Sequence, residues 1–250
     1  MNEFVKNADR IEFIVTMACT GRCRHCSEGE HRGFCEHIDP EVAVKAIRDI
    51  CAEYKIKSLM TFGGEPLLYP ETVFAIHETA TELGIAERQL ITNGYFTKDF
   101  VRIEEVASKI AASGVNELLL SVDAFHQETI PLEPVRYFAE CLVRNGVNTE
   151  FSPAWLVSRE DGNPYNVRTR ELLGSFSDLP IPIGQGNIIF PSGNAIKYLG
   201  EYFDGVNDAE DPYEDDPRDI RAISFDPNGD VLGGNVYKKD ILTILNEYRP

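Results

Sequence analysis

The sequence predicts an α/β fold, specifically a partial (β/α)6 barrel followed by a small C-terminal extension of hairpin and helix. Short apolar runs rich in branched residues alternate with segments of helical periodicity along most of the 250 residues. The connections between these segments are short, which is typical of parallel strands joined by right-handed crossovers. We expect residues 1–200 to form the barrel and residues 201–250 to form the extension.

Six strands and five helices are predicted within the barrel. The clearest helix start is Asp39-Pro40-Glu41, which supplies a cap, a proline suited to the first turn and an early acid. The strands are expected at residues 11–17, 57–62, 89–92, 117–122, 148–155 and 187–190. The helices are expected at about residues 40–54, 70–84, 100–112, 131–146 and 166–176.

The character of the chain changes after the sixth predicted strand. Residues 204–219 contain eight acidic side chains and only one basic side chain, together with two prolines. This composition predicts a solvated loop. Residues 223–232 place two short apolar runs around Asp226-Pro-Asn-Gly229, a composition typical of a tight hairpin. A last helix is expected over residues 240–248.

Composition and charge exclude several classes of partner. Hydrophobic residues make up 43% and charged residues 26%, which is ordinary for a globular protein. The formal net charge of -17 opposes binding to nucleic acid or to an anionic membrane surface. No segment is apolar enough to span a bilayer, and the first ten residues lack the layout of a secretion signal. We therefore expect a cytoplasmic protein without nucleic-acid or membrane partners.

Three of the six cysteines, Cys19, Cys23 and Cys26, lie within eight residues directly after the first predicted strand. Thiolates at this spacing can hold one iron-sulfur cube by three of its four irons. The fourth iron then stays open, which indicates a cluster that binds a ligand, because a cube that only carries electrons usually has four thiolates.

Two other readings of these cysteines stay open on the residues alone. Disulfides are one, although clustered cysteines in a reducing compartment bind metal more often than they pair. A zinc site is the other. It would need a fourth ligand, for which the candidates are His25, His31 and Cys35.

Further polar residues follow the next three predicted strands. Gly63-Gly64-Glu65-Pro66 follows the second, where glycines permit close approach of a ligand and a carboxylate can accept hydrogen bonds from an ammonium group. Asn93 follows the third strand, and Ser121 and Asp123 end the fourth. Each pattern alone is also typical of a turn or a helix cap. Their convergence on one edge of a parallel sheet favours a site.

Taken together, these motifs resemble those of the radical S-adenosylmethionine (radical SAM) enzymes, over roughly residues 11–195. The resemblance implies a TIM-like partial barrel and a [4Fe-4S] cluster held by Cys19, Cys23 and Cys26. It also implies that the open iron binds S-adenosylmethionine (SAM). The residues expected to contact SAM are His25, which stands where an aromatic residue commonly packs near the adenine, together with Gly63, Gly64, Glu65, Asn93, Ser121 and Asp123.

The activity that this resemblance implies is reductive cleavage of SAM to a 5′-deoxyadenosyl radical, which removes hydrogen from a peptide or a small polar substrate. The electron would come from an external donor such as flavodoxin or ferredoxin. The alternative is a non-catalytic iron-sulfur redox sensor or scaffold.

The C-terminal part is similar to the peptide- and protein-modifying branch of the family. Residues 190–195 resemble its sixth-strand exit, and residues 224–234 resemble the hairpin of its SPASM or twitch extension. In that hairpin glycines replace the cysteines of an auxiliary cluster, and no cysteine follows Cys141. We therefore expect a single cluster, with Cys35, Cys51 and Cys141 dispensable for binding iron.

Overall fold

A computed structural model describes residues 2–31, 33–203 and 215–250. Its centre is a six-stranded, all-parallel sheet in the order β5-β4-β3-β2-β1-β8. The strands of this sheet are β1 (Arg10–Thr16), β2 (Ser58–Gly63), β3 (Glu87–Thr92), β4 (Glu117–Leu120), β5 (Thr149–Phe151) and β8 (Ala222–Phe225). The α/β fold and the parallel sheet expected of a partial TIM-like barrel are thereby confirmed.

Four long helices cover the sheet, each lying beside the next along the chain. They are α1 (Pro40–Glu53), α2 (Pro70–Glu82), α3 (Phe100–Ser113) and α4 (Leu132–Arg144). The start of α1 is capped as predicted, because the Asp39 carboxylate accepts hydrogen bonds from the backbone N–H groups of Glu41 and Val42. The remaining helices are α5 (Pro164–Gly174), α6 (Gly193–Leu199) and α7 (Ile241–Glu247).

The sixth strand of the sheet is not the one predicted at residues 187–190. It is β8, whose Phe225 lies opposite Phe13 of β1 with the two rings stacked at 4.7 Å. Only two residues of the predicted segment, Asn187–Ile188, form a strand (β7), and both are exposed. This strand pairs with β6 (Ala154–Trp155) in a separate small sheet. Burial decides the difference, since Ile223 and Phe225 are completely buried.

The predicted hairpin of residues 223–232 is displaced along the chain. Its first apolar run belongs to the main sheet, and the hairpin is formed by β9 (Asp230–Val231) and β10 (Gly234–Asn235). The connecting residues Leu232 and Gly233 both have positive φ angles, 45° and 73°, as a tight two-residue hairpin turn requires.

One further expectation needs correction. The predicted fifth strand is split into β5 and β6 around Pro153, which has no N–H to donate to a neighbouring strand. The short helix α6 was not predicted.

Most of the acidic segment, residues 204–214, lies outside the described residues. The division near residue 200 stays a prediction, although β8 carries the C-terminal part into the main sheet. Among the described residues no helix is long and apolar enough to cross a membrane.

Candidate functional site

The three clustered cysteines lie on the loop that leaves the carboxyl end of β1. Cys23 is buried, Cys19 and Cys26 are half-buried, and all three are free thiols, as are the other cysteines, which excludes the disulfide reading. Burial, reinforced by the nearby charge of Glu65, raises the pKa of the Cys19 thiol to about 12. Burial also raises the pKa of the Cys23 thiol well above its usual value and that of the Cys26 thiol in the same direction. Binding of a metal centre here would release their protons.

The sulfur of Cys19 is held by its own loop and by the end of β3. The backbone N–H of Gly21 donates to Cys19 Sγ at 3.3 Å, and Asn93 Nδ2 lies 3.6 Å from the same sulfur. Asn93 is itself fixed, since its Oδ1 accepts from the backbone N–H of Tyr95 at 2.8 Å. The predicted residue Asn93 is therefore brought into contact with a predicted cluster ligand.

Cys26 has a histidine neighbour. His31 Nε2 lies 3.1 Å from Cys26 Sγ, and His31 Nδ1 lies 2.6 Å from the backbone carbonyl of Met17. A carbonyl oxygen can only accept, so Nδ1 carries the proton and Nε2 of the neutral ring accepts from the thiol. His31 thus links the middle of the cysteine loop to the end of β1.

A distant segment clamps the same loop from the other side. Asn194, at the start of α6, donates through its backbone N–H to the Cys26 carbonyl at 2.9 Å. Its side chain donates to the carbonyls of Cys23 and Gly29, both at 3.1 Å. At the preceding Gly193, where φ is 49°, a Cβ would lie 2.2 Å from the carbonyl oxygen of Ser27. Sequence reasoning missed Asn194; the only signal was its place in the family-like stretch 190–195.

Gly63 and Gly64 pack against backbone rather than against open space. A Cβ on Gly64 would lie 2.2 Å from the Ala18 carbonyl oxygen, and one on Gly63 would lie 2.5 Å from that of Thr16. The backbone N–H groups of Gly64 and Glu65 donate to these same two carbonyls at 2.8 Å. The glycines therefore join the end of β2 to the start of the cysteine loop.

Glu65 is completely buried, and its carboxylate already has three protein donors. Oε1 accepts from the backbone N–H of Leu67 at 2.9 Å and from Thr92 Oγ1 at 2.8 Å, and Oε2 accepts from the backbone N–H of Asn93 at 2.9 Å. A carboxylate offers about four acceptor positions, so one remains. Burial raises the pKa of Glu65 to about 7, against the lowering effect of these hydrogen bonds.

Asp123 is also completely buried, and it is saturated with donors. The backbone N–H groups of Phe125, His126 and Ala154 all donate to it at 2.9–3.0 Å, and His126 Nδ1 lies 2.8 Å from Oδ2. Burial alone would raise the pKa of Asp123, but the charge and hydrogen bonds of His126 outweigh burial and hold that pKa well below its usual range.

His25 lies between the cysteine loop and the end of β4. Its ring centroid is 5.0 Å from that of Phe125 and 4.9 Å from that of His126. Burial lowers the pKa of His25 to about 4, so the ring is neutral near pH 7. Neither Phe125 nor His126 was singled out from sequence, although a histidine three residues after Asp123 was a signal that could have found His126.

The predicted site residues thus meet at the carboxyl edge of the sheet. Ser121 is buried there and donates its backbone N–H to the Thr92 carbonyl at 2.9 Å. The remaining cysteines lie elsewhere: Cys51 and Cys141 pack in the hydrophobic core, and Cys35 is exposed.

The fold and the site define a class of protein: an α/β fold with a parallel sheet and three cysteines on a loop at the carboxyl edge of that sheet. Residues 13–145, more than half of the chain, match the radical SAM superfamily. The chain therefore belongs to the radical SAM superfamily, whose cofactors are a [4Fe-4S] cluster and SAM.

Known proteins agree with this assignment. A GTP 3′,8-cyclase of Clostridium perfringens (strain SM101 / Type A) is 24% identical over 206 residues, which cover 74% of this chain and 59% of the relative. SuiB of Streptococcus suis bound to S-adenosylmethionine superimposes with a TM-score of 0.63 at 13% identity, covering 97% of this chain and 66% of SuiB. SuiB bound to the precursor peptide SuiA superimposes with a TM-score of 0.62 at 13% identity, covering 98% of this chain and 68% of SuiB.

A third solved structure, anSMEcpe with bound AdoMet and the Cp18Cys peptide, superimposes with a TM-score of 0.56 at 15% identity, covering 92% of this chain and 75% of that one. At sequence identities of 13–15%, these superpositions show a common fold and nothing more. The chain spans about 59% of the length of the curated cyclase that it matches.

Proposed function

We propose that the chain is a radical SAM enzyme in which Cys19, Cys23 and Cys26 hold a [4Fe-4S] cluster and leave one iron for SAM. The observation that carries this proposal is the cysteine loop itself, which leaves the carboxyl end of β1 and is held there by Asn93 at Cys19 Sγ and by Asn194 at the Cys23 and Cys26 carbonyls. The donor set fits the group, because three thiolates within eight residues match a cube with one open iron, and the next cysteine, Cys35, is exposed nine residues after Cys26.

When bound, the cluster and SAM would supply reductive cleavage of the sulfonium bond to a 5′-deoxyadenosyl radical that abstracts hydrogen from substrate. The chain's own residues position these groups and exclude water. Asn93 and the Gly21 N–H hold the Cys19 sulfur. Asn194 holds the backbone of the loop between Cys23 and Gly29.

The residues proposed to contact SAM divide into two groups. His25 and the end of β4, with Ser121 and Asp123, would face the adenosine part. Glu65 and Asn93, positioned by Gly63 and Gly64, would face the methionine part, where the one remaining acceptor position of Glu65 suits an ammonium group.

Substrate class is proposed from the relatives, and two kinds are compatible with them. A peptide is supported by the likeness of the whole fold to SuiB and anSMEcpe, both of which were solved with peptides. A small polar metabolite is supported by the GTP 3′,8-cyclases. We place the peptide first, because the structural likeness covers nearly the whole chain. An external one-electron donor such as flavodoxin or ferredoxin completes the proposed reaction.

The experiment is anaerobic reconstitution with iron and sulfide, followed by dithionite and SAM. We expect 5′-deoxyadenosine from the wild-type chain and none from the alanine variants of Cys19, Cys23 and Cys26, which should also lose bound iron. Cys35→Ala is the matched control, because Cys35 is exposed and lies nine residues after Cys26. Loss of iron from this control would show that the ligands are assigned wrongly. Absence of product from fully loaded wild-type protein, with several reductants, would overturn the enzyme proposal.

Substrate is then tested by hydrogen transfer. Peptides encoded beside the gene and GTP, each deuterated, are added separately to the loaded enzyme. We expect deuterium to appear in 5′-deoxyadenosine with a peptide; deuterium transfer from GTP alone would assign the small-metabolite class.

A second candidate is a redox sensor or scaffold that holds the cluster without turnover. The absence of cysteines beyond Cys141, and hence of an auxiliary cluster in the C-terminal part, favours it. Calorimetric titration of SAM into cluster-loaded protein distinguishes the two, since a sensor of this kind would show no heat of SAM binding.

A further inference from the structure

A second set of metal-ligating side chains lies beside the cysteine loop. It consists of Cys23, His25 and His126, each of which offers one ligand atom within 4.8 Å of the other two. Cys23 is the only member that this set shares with the three-cysteine set. The sequence separates His126 from the other two by about one hundred residues, and the topology brings the ends of β1 and β4 to the same edge.

His126 has the environment of a metal-ligating histidine. Its Nδ1 lies 2.8 Å from the buried Asp123 carboxylate, so Nδ1 carries the proton and Nε2 is left free. Asp123 is itself held by three backbone N–H groups. Histidine ligands almost always donate their second N–H to such a carboxylate, which fixes the tautomer and the ring orientation.

His25 supplies an independent observation. Its Nδ1 is buried and has no hydrogen-bond partner within the described part of the chain. A buried polar atom without a partner costs free energy unless an ion, a water or a ligand satisfies it. The ring is kept in place by Phe125, which stacks in turn on Tyr165 at 4.7 Å.

The spacing of these atoms suits a tetrahedral ion after a small adjustment. Zn²⁺ binds nitrogen at about 2.0–2.1 Å and thiolate sulfur at about 2.3 Å, so ligand atoms around it lie roughly 3.3–3.7 Å apart. The present atoms, all within 4.8 Å of one another, need to approach by at most about 1.5 Å.

We propose that the cluster-free chain binds one divalent ion of the zinc type through Cys23 Sγ and one ring nitrogen each of His25 and His126. Water would occupy the fourth position, and Asp123 would orient His126. Two imidazoles and one thiolate form a donor set that Zn²⁺ accepts readily. Because Cys23 is shared, this ion and the proposed cluster exclude each other, and only this exclusion rests on the proposed function.

Co²⁺ is the probe, because it occupies zinc sites and its visible absorption spectrum reports tetrahedral geometry and bonding to a thiolate. Cluster-free, reduced protein is titrated with Co²⁺ under anaerobic conditions, and then with Zn²⁺. We expect one equivalent of tetrahedral Co²⁺, displaced by one equivalent of Zn²⁺. His126→Ala and His25→Ala should lose this absorption, with circular dichroism used to show that they are folded. Asp123→Asn should weaken Co²⁺ binding about 10- to 100-fold.

Two variants separate this site from the cluster. Cys19→Ala removes a proposed cluster ligand that the ion does not use, so it should bind Co²⁺ as the wild type does while failing to hold the cluster. His31→Ala removes the other histidine near the loop and should leave Co²⁺ binding unchanged. Loss of Co²⁺ binding in Cys19→Ala, or its retention in folded His126→Ala, would overturn the inference without bearing on SAM cleavage. Absence of stoichiometric Co²⁺ binding by the wild type would overturn it as well.

If the site is as inferred, cluster assembly must displace the ion. Addition of iron and sulfide to the Co²⁺-loaded wild type should release one equivalent of Co²⁺ as the cluster absorption grows. Co²⁺ that stays bound beside a complete cluster would contradict the sharing of Cys23.

Discussion

Two buried carboxylates at the same edge of the sheet have opposite electrostatics. Glu65 follows β2 and Asp123 follows β4, and both are completely buried. Burial raises the pKa of Glu65 to about 7. Burial acts on Asp123 in the same direction, but the adjacent His126 outweighs it and lowers the pKa of Asp123 well below its usual range.

The partners of the two groups explain the difference. Glu65 accepts from two backbone N–H groups and the hydroxyl of Thr92. Asp123 accepts from three backbone N–H groups and also pairs with His126, whose own pKa the pair raises despite burial. Hydrogen bonds from neutral donors thus fail to offset burial at the β2 end, while the charge and hydrogen bonds of His126 outweigh burial at the β4 end. The β4 end is held together by charge and the β2 end by close backbone packing.

The largest effect is expected at the β4 end. Asp123→Asn leaves His126 without its counter-charge and turns an amide N–H₂ toward a group of donors. Removal of one partner from a buried pair costs about 3–5 kcal/mol, and we expect a loss of free energy of unfolding of that order. Urea denaturation of the cluster-free protein under reducing, anaerobic conditions measures it.

Glu65→Gln at pH 6 is the matched control, since Glu65 is mostly protonated there and the amide resembles the acid in size and charge. We expect a cost of about 1 kcal/mol, the value of a typical hydrogen bond. Equal losses of free energy of unfolding in Asp123→Asn and Glu65→Gln would contradict the difference between the two carboxylates.

The next effect is the pH dependence that Glu65 confers. The carboxyl titrates near its ordinary 4.5 in the unfolded chain and near 7 in the folded one, so between these values the folded state binds more protons. The free energy of unfolding therefore falls as pH rises from about 4.5 to about 7. At about 1.4 kcal/mol per pKa unit, the loss is at most about 3.5 kcal/mol.

This fall in the free energy of unfolding is measured by urea denaturation of cluster-free protein at several pH values. His126, whose pKa is raised, also loses stabilising effect as pH rises, so the contribution of Glu65 is the difference between wild type and Glu65→Gln. We expect the variant to show a flatter profile over this range. A variant profile parallel to that of the wild type would show that Glu65 is ionised in the folded protein well below pH 7.

The smallest expected effect tests the packing of the β2 end. A methyl group at Gly64 would overlap the Ala18 carbonyl, which is backbone and cannot rotate away. We expect Gly64→Ala to cost about 1–3 kcal/mol, as overpacking does, and to weaken iron retention by shifting the cysteine loop. Gly162→Ala is the control, because no atom lies within 4 Å of its added Cβ. Unchanged stability and iron content in Gly64→Ala would show that this end is not set by backbone contact.

Much of the site was predictable from motifs that follow strands. Cys19, Glu65, Asn93 and Asp123 each come directly after a predicted strand, and parallel strands bring such positions to one edge. The roles of the glycines were harder to predict. Their spacing indicated close approach of a ligand, which stays a prediction, and the structure adds contacts of Gly63 and Gly64 with the backbone of Thr16 and Ala18. No local pattern reveals which backbone lies opposite a glycine.

His126 and Asn194 show the same limit. Each looks ordinary in its own segment, and each acquires a role only through contacts with the cysteine loop, which is more than one hundred residues away. The edge strand β8 was misassigned for a related reason, since an apolar run of four residues fits a hairpin and a buried strand equally well.

By itself, the sequence determined the alternation of strand and helix, the family-like cysteine spacing and the polar residues at the strand ends, because periodicity, caps and short motifs act over a few neighbouring residues. Only the tertiary structure decided which strand closes the edge beside β1, which carboxylate is paired with a histidine, and which distant side chains hold the cysteine loop. These outcomes depend on burial and on donors that lie far apart in the chain, and such contacts exist only once the sheet has formed.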